Sequence, residues 1–164
     1  MQARSAVGAG RLNPALSSLV HTARMACAVD PARALRFLAN GRQLGRWALG
    51  SMNTVRVGVG LYRGISLFDG TATLIRPVLD RQAGRVDFWV GPDAQHLQPR
   101  IQARVVARQF GCVISLRARR GKDMSDHRWG RLIACHEAEV YLIQSLLEQV
   151  NRSARRRPHE TSRA

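Results

Sequence analysis

The sequence predicts an α+β domain, and three observations carry that expectation. One strand-like run and two short helical patterns open the chain. Six turn-punctuated strand-like runs then follow in a row, and one long amphipathic helix closes it. The 164 residues, 45% of them hydrophobic, are enough for one domain with a real core.

Residues 1–17 read as a loose arm, small and polar, with Gly8, Gly10 and Pro14. From Leu19 to Val29, "LVHTARMACAV" reads as a strand whose alternation puts His21, Ala23, Met25, Cys27 and Val29 on one face. In "DPARALRFLANG", Asp30 can cap a helix that starts at Pro31, because its carboxylate can accept the free backbone N–H groups of the first turn. Ala34, Leu35, Phe37 and Leu38 form its apolar stripe, and Asn40-Gly41 ends it. "RQLGRWAL" follows as a short second helix carrying Leu44 and Trp47.

The six strand-like runs are Asn53–Val57, Leu61–Phe68, Thr71–Leu79, Arg85–Val90, Pro99–Ala107 and Cys112–Arg119. Glycine-rich or acidic turns separate them, and Asp69-Gly70 predicts a tight type I′ hairpin. Short connections between consecutive runs predict an antiparallel meander. The closing helix is expected from Ser125 or Asp126 to Asn151. At about 100° per residue its apolar face collects Trp129, Leu132, Ile133, His136, Val140, Ile143, Leu147 and Val150. Arg128, Arg131, Glu139 and Gln149 are placed elsewhere on the wheel, and Glu137 at the edge of the buried face. The domain is expected to span residues 18–152, with a basic tail over 153–164.

There are 26 Lys and Arg residues against 11 Asp and Glu, a formal charge of +15, and all but one of the basic residues are arginine. The placement argues against a nucleic-acid partner. The charge is scattered over strands, turns and the tail "RSARRRPHETSRA", with no zinc-finger spacing and no basic stripe interleaved with aromatics. Cys27, Cys112 and Cys135 are odd in number and form no CxxC, which excludes a disulfide framework or zinc ribbon and predicts reduced thiols. No apolar run approaches the about 18 residues of a membrane span, and Arg11, Asn13 and Pro14 break any signal-peptide core. A cytoplasmic protein is the expectation.

The order of elements, and "CAVDPARALRFLANGRQLGRW" in particular, resembles the SRPBCC superfamily (START, Bet v 1 and polyketide cyclase/dehydrase relatives). The matching features are a strand, an Asp-Pro turn into a helix, a short break and a Leu-x-x-Trp ending. The closing helix matches in position, length and amphipathicity, so the likeness spans about Leu19 to Asn151. It implies the helix-grip fold: a curved seven-stranded antiparallel sheet wrapped around the C-terminal helix, with an apolar cavity between them. Relatives hold lipids, sterols, polyketides or aromatic molecules there, some as cyclases or dehydratases and some only as carriers, so the resemblance leaves turnover open. The expected partner is a hydrophobic small molecule, with no cofactor, in a monomer or homodimer. Pro77 and Pro99 depart from the pattern, since proline favours strand edges and bulges.

In "ACHEAEVYLIQ" the His136-Glu137 pair suggests a zinc helix, but the second histidine needed four residues on is replaced by Val140, and Cys135 points about 100° away. No metal is expected. His136 is instead expected to face the cavity, where a neutral imidazole offers a donor and an acceptor, or a general base. The competing reading is a structural histidine bonded within the core. Trp129, Ile133 and Val140 share its helix face, while Trp47, Phe88, Met25 and His21 are the candidate ligand contacts from other elements. Phe88 is expected inward and Trp89 outward. Arg76 or Arg104, if inward, would select an acidic ligand. The rival function is a non-enzymatic protein-interaction module, or a nucleic-acid binder, using the arginine-rich surface and tail.

Overall fold

The computed structural model describes residues 18–155, with side chains up to Gln149. The arm over 1–17, the last residues of the basic tail (156–164) and the side chain of Val150 lie outside the described residues. The strands are β1 (Val20–Cys27), β2 (Met52–Gly58), β3 (Leu61–Ile65), β4 (Ala72–Asp80), β5 (Arg85–Gly91), β6 (Gln98–Arg108) and β7 (Gly111–Arg119). The helices are α1 (Pro31–Ala39), α2 (Gly41–Leu44) and α3 (Asp126–Arg155). The strands form one antiparallel sheet in the order β1-β7-β6-β5-β4-β3-β2. This is the helix-grip arrangement that the sequence predicts. Only β1 leaves the sequential meander, pairing with the last strand across the sheet.

Local chemistry explains the element ends. Asp30 Oδ1 accepts the Arg33 N–H at 2.9 Å, and Pro31 opens α1. Asn40 caps both helices: its N–H donates to the Phe37 carbonyl, and its Oδ1 accepts from Arg42 N–H at 3.1 Å. The second helix is a single turn, shorter than predicted, and Trp47 sits in the turn that follows it. Gly41 is needed there, because a Cβ would overlap the Tyr62 ring.

The β3–β4 hairpin is real but not tight. Residues 66–71 form its loop, in which Gly70 alone has positive φ (+70°). A type I′ turn would require it at Asp69 too. Asp69 instead accepts from the Thr71 N–H (3.1 Å) and hydroxyl (2.7 Å), and Ser66 Oγ accepts from Phe68 N–H. These side-chain bonds outcompete strand pairing, so β3 stops at Ile65 rather than Phe68. Pro77 lies in β4 past Ile75, where pairing with β3 has ended. Pro99 sits at a bulge: Phe88 pairs Ile101 and Trp89 pairs Pro99, leaving Arg100 as the extra residue.

The closing helix packs across β1 and β7. Its C-terminal half is tied down by Gln144 Nε2 to the Ala26 carbonyl (2.8 Å) and by Glu148 Oε1, which accepts from Ala28 N–H (3.2 Å). There Ile143 and Leu147 join Leu38, Ala34, Ile114, Cys27 and Cys112 in a closely filled core. Each fully buried aliphatic side chain contributes roughly 2 kcal/mol of transfer free energy. Cys27 and Cys112 are register partners across β1 and β7, and both thiols are free. Burial pushes the Cys27 thiol up to about 12, so it acts as a small hydrophobe.

Candidate functional site

The N-terminal half of α3 does not meet a filled core. A cavity of about 670 Å³ opens between residues Arg128 to Glu139 of the helix and the sheet. Its apolar wall is Trp47, Phe88, Ile75, Val90, Ile101 and Leu132. Phe88 meets Trp47 edge-on, with ring centroids 5.7 Å apart. A polar strip crosses the far side, where the Thr73 hydroxyl donates to Ser51 Oγ at 3.1 Å beside Ser66 and Thr71.

The loop over residues 66–71 closes one side. Arg131 stacks over the Phe68 ring at 5.5 Å, and Arg128 Nη1 lies 3.3 Å from Asp69 Oδ2. The loop is therefore held to α3, and it brings Ser66, Phe68 and Thr71 into the cavity lining.

Two ionisable groups line the interior. His136 is 2% exposed, and Glu139 is 4% exposed. The Glu139 carboxyl accepts the Leu49 N–H at 2.8 Å and is also hydrogen-bonded by the Gly50 N–H. Burial outweighs those bonds and raises its pKa to about 8. Burial, helped by the nearby His21, lowers His136 to about 4. His136 Nε2 lies 3.8 Å from Glu139 Oε2, too far for a hydrogen bond, and each group favours its uncharged form for the same reason. At neutral pH the cavity therefore contains a protonated carboxyl beside a neutral imidazole. His136 Nδ1 and Trp47 Nε1 are buried with no hydrogen-bond partner among the described residues.

The predicted site residues divide. His136, Trp47 and Phe88 line the cavity. Trp129 is fully buried and Ile133 half-buried, but neither lines it. Val140 lies one turn too far along and belongs to the filled core. Met25 packs against that core from β1. His21 does approach His136, ring centroids 6.2 Å apart and tilted by 31°, but stays behind the wall. Its Nε2 lies 3.0 Å from Glu137 Oε1, off the line of a hydrogen bond. Glu137, at the edge of the buried face, thus partners His21 and not His136. Arg76 and Arg104 are exposed and lie outside the lining.

Glu139 is the residue the helical wheel misplaced. It follows His136 by three residues, about 60° around the helix, and so shares its face. The signal was present; assigning a carboxylate to solvent by residue type hid it. Among the other omissions are four cations, Arg100, Arg119, Lys122 and Arg128, at the mouth. Arg100 reaches it because the bulge turns both Arg100 and Ile101 toward the cavity, which strict alternation forbids. Among the described residues no cluster of side chains could hold a metal ion, and no helix is long and apolar enough to cross a membrane.

Fold and cavity together define a helix-grip protein with an internal polar pair. No family profile and no curated protein matches the chain in sequence. Solved structures do match it in fold. The Aha1 dimer from Colwellia psychrerythraea superposes with a TM-score of 0.61 at 11% identity, over 80% of this chain and 97% of that one. The Zhui aromatase/cyclase from Streptomyces sp. R1128 gives 0.58 at 13% identity, over 82% and 96%. Protein Ms6760 from Mycobacterium smegmatis gives 0.56 at 16% identity, over 82% and 94%. At such identities the likeness establishes the fold, which agrees with the SRPBCC resemblance of the sequence.

Proposed function

We propose that the chain binds an apolar or aromatic small molecule in this cavity and can perform acid–base chemistry on it. The observation that carries the reading is the cavity itself, a drug-sized space with aromatic walls and two buried ionisable groups. A ligand carbonyl or hydroxyl can satisfy His136 Nδ1 and the Trp47 indole N–H, each costing roughly 1–3 kcal/mol while unpaired. The aromatase/cyclase among the fold neighbours gives the reading a precedent in this architecture.

The chemistry follows from the split of the two pKa values, which assigns a proton donor and a proton acceptor. Neutral His136 removes a proton from carbon beside a ligand carbonyl. Protonated Glu139 gives its proton to the departing hydroxyl. A carbon–carbon double bond forms, a carbon–oxygen bond breaks and water leaves. The imidazolium then returns its proton to the carboxylate, which restores both groups.

Trp47 gives the direct test. With Trp89→Phe and Trp129→Phe, the remaining fluorescence comes from the cavity wall. A brominated long-chain alcohol should quench it saturably, and His136→Ala should leave the quenching in place. Linear, unsaturable quenching would contradict ligand binding in the cavity. For the chemistry, 2-tetralone, an enolisable aromatic ketone, should exchange its α-protons for deuterium with the wild-type chain and at the solvent rate with His136→Ala. Equal rates in both would remove the catalytic half of the proposal.

A further inference from the structure

Resting on the reading of the cavity as a ligand site, we propose that the ligand is an anionic amphiphile. Its apolar or aromatic body fills the cavity, and its carboxylate is held at the mouth by Arg100, Arg119 and Lys122. All three line the opening, and none has a side-chain hydrogen bond or ion pair with a described residue. The neighbouring cations contrast with them. Arg120 donates to the Met124 carbonyl (2.7 Å) and to Asp126 (2.5 Å), and Arg128 is paired with Asp69. The fold thus neutralises the cations that brace its loops and leaves three at the cavity entrance. Among the described residues Asp123 is the one acidic side chain beside them at the mouth, and Glu139 lies further in with its hydrogen bonds to backbone N–H groups.

The backbone is arranged for this. Arg100 is the extra residue of the β5–β6 bulge, so its side chain is turned to the cavity together with that of Ile101. One residue thereby supplies a charge where its neighbour supplies apolar wall. Opposite it, Gly121 leaves room for the guanidinium: a Cβ there would come to 3.1 Å from Arg100 Nη1. A planar guanidinium can bind a carboxylate through two parallel N–H···O bonds, which a scattered surface charge cannot do. All three side chains are exposed at the entrance, so the expected discrimination is about tenfold.

The test compares dodecanoate with 1-dodecanol, equal in chain length and different in head group, by titration calorimetry of the full chain at pH 7.5. Dodecanoate should bind at least about tenfold tighter, and the preference should shrink as salt is raised. The double variant Arg100→Met, Arg119→Met should lose the preference and keep its affinity for dodecanol. As a control for overall charge, Arg76→Met with Arg104→Met removes two cations away from the mouth and should change nothing. Equal binding of acid and alcohol by the wild-type chain would overturn the anion site while leaving the cavity reading intact. So would an equal loss of preference in the control variant. Binding of neither molecule would overturn the cavity reading itself.

Discussion

The two halves of the closing helix lie against one sheet and meet opposite fates. Toward the C-terminus, Ile143 and Leu147 are fully buried in one hydrophobic cluster with Leu38, Ala34 and Ile114, and none of the five lines the cavity. Toward the N-terminus, Leu132, His136 and Glu139 face a cavity of about 670 Å³. The difference is made by α1. It packs against β5, β6 and β7 and supplies the apolar stripe that fills one end. The other end receives short segments: the turn around Trp47, the loop over residues 66–71 and the connection over residues 121–124. Stability is thus concentrated in one half, and the other half is free to carry polar groups that a packed core would exclude.

The largest effect expected from this contrast is a pair of identical deletions. Leu38→Ala should cost about 3 kcal/mol in a denaturant melt, because neighbours on every side leave a new void. Leu132→Ala, in the cavity wall, should cost under about 1 kcal/mol, because its space is already open. Equal costs would mean that the two halves are packed alike.

Enlargement should separate them in the opposite sense. Ala103 is fully buried, and Ala103→Leu should destabilise by about 2 kcal/mol through overpacking. Ala48 borders the cavity, and Ala48→Leu should leave the melting temperature nearly unchanged while weakening ligand binding. A large loss of stability at Ala48 would show that the cavity wall cannot accept volume.

The pH dependence sharpens the electrostatic side. Glu139, raised to about 8 from 4.5, holds a proton in the native state where the unfolded chain has lost it, so stability falls as pH rises from 4.5 to 8. His136, lowered from 6.5 to about 4, does the reverse, and stability rises with pH from 4 to 6.5. The two oppose each other from 4.5 to 6.5, where their joint contribution is nearly flat. Above 6.5 Glu139 acts alone, and stability should drop by roughly 2 kcal/mol by pH 8. Glu139→Gln should abolish that drop, as chemical denaturation across the range would reveal. An unchanged slope in the variant would place the carboxyl's titration elsewhere.

The contrast also explains what the sequence could tell. The packed half was legible because its signals are local: Asp30-Pro31, the stripe of Leu35 and Leu38, and the alternation of Ile114 and Leu116. The open half was legible only where an apolar face ran through it, at His136, Phe88 and Trp47. A cavity is a space that no residue encodes alone; it depends on how far α1 and the 66–71 loop reach. Glu139 broke the rule that carboxylates face solvent. Arg100 broke strand alternation through a bulge that Pro99 hinted at but could not locate. Asp69-Gly70 announced a turn, yet the Asp69 and Ser66 side-chain bonds set its length.

On the proposed function, only the N-terminal half of this helix faces a ligand. Methyl-resolved NMR of the full chain, titrated with dodecanoate, tests it most directly. Saturable shifts are expected at the Leu132 and Ile75 methyl groups, with those of Leu38, Ile143 and Leu147 nearly unmoved. Shifts confined to exposed positions such as Val55 and Val59, or spread evenly over both halves, would contradict it.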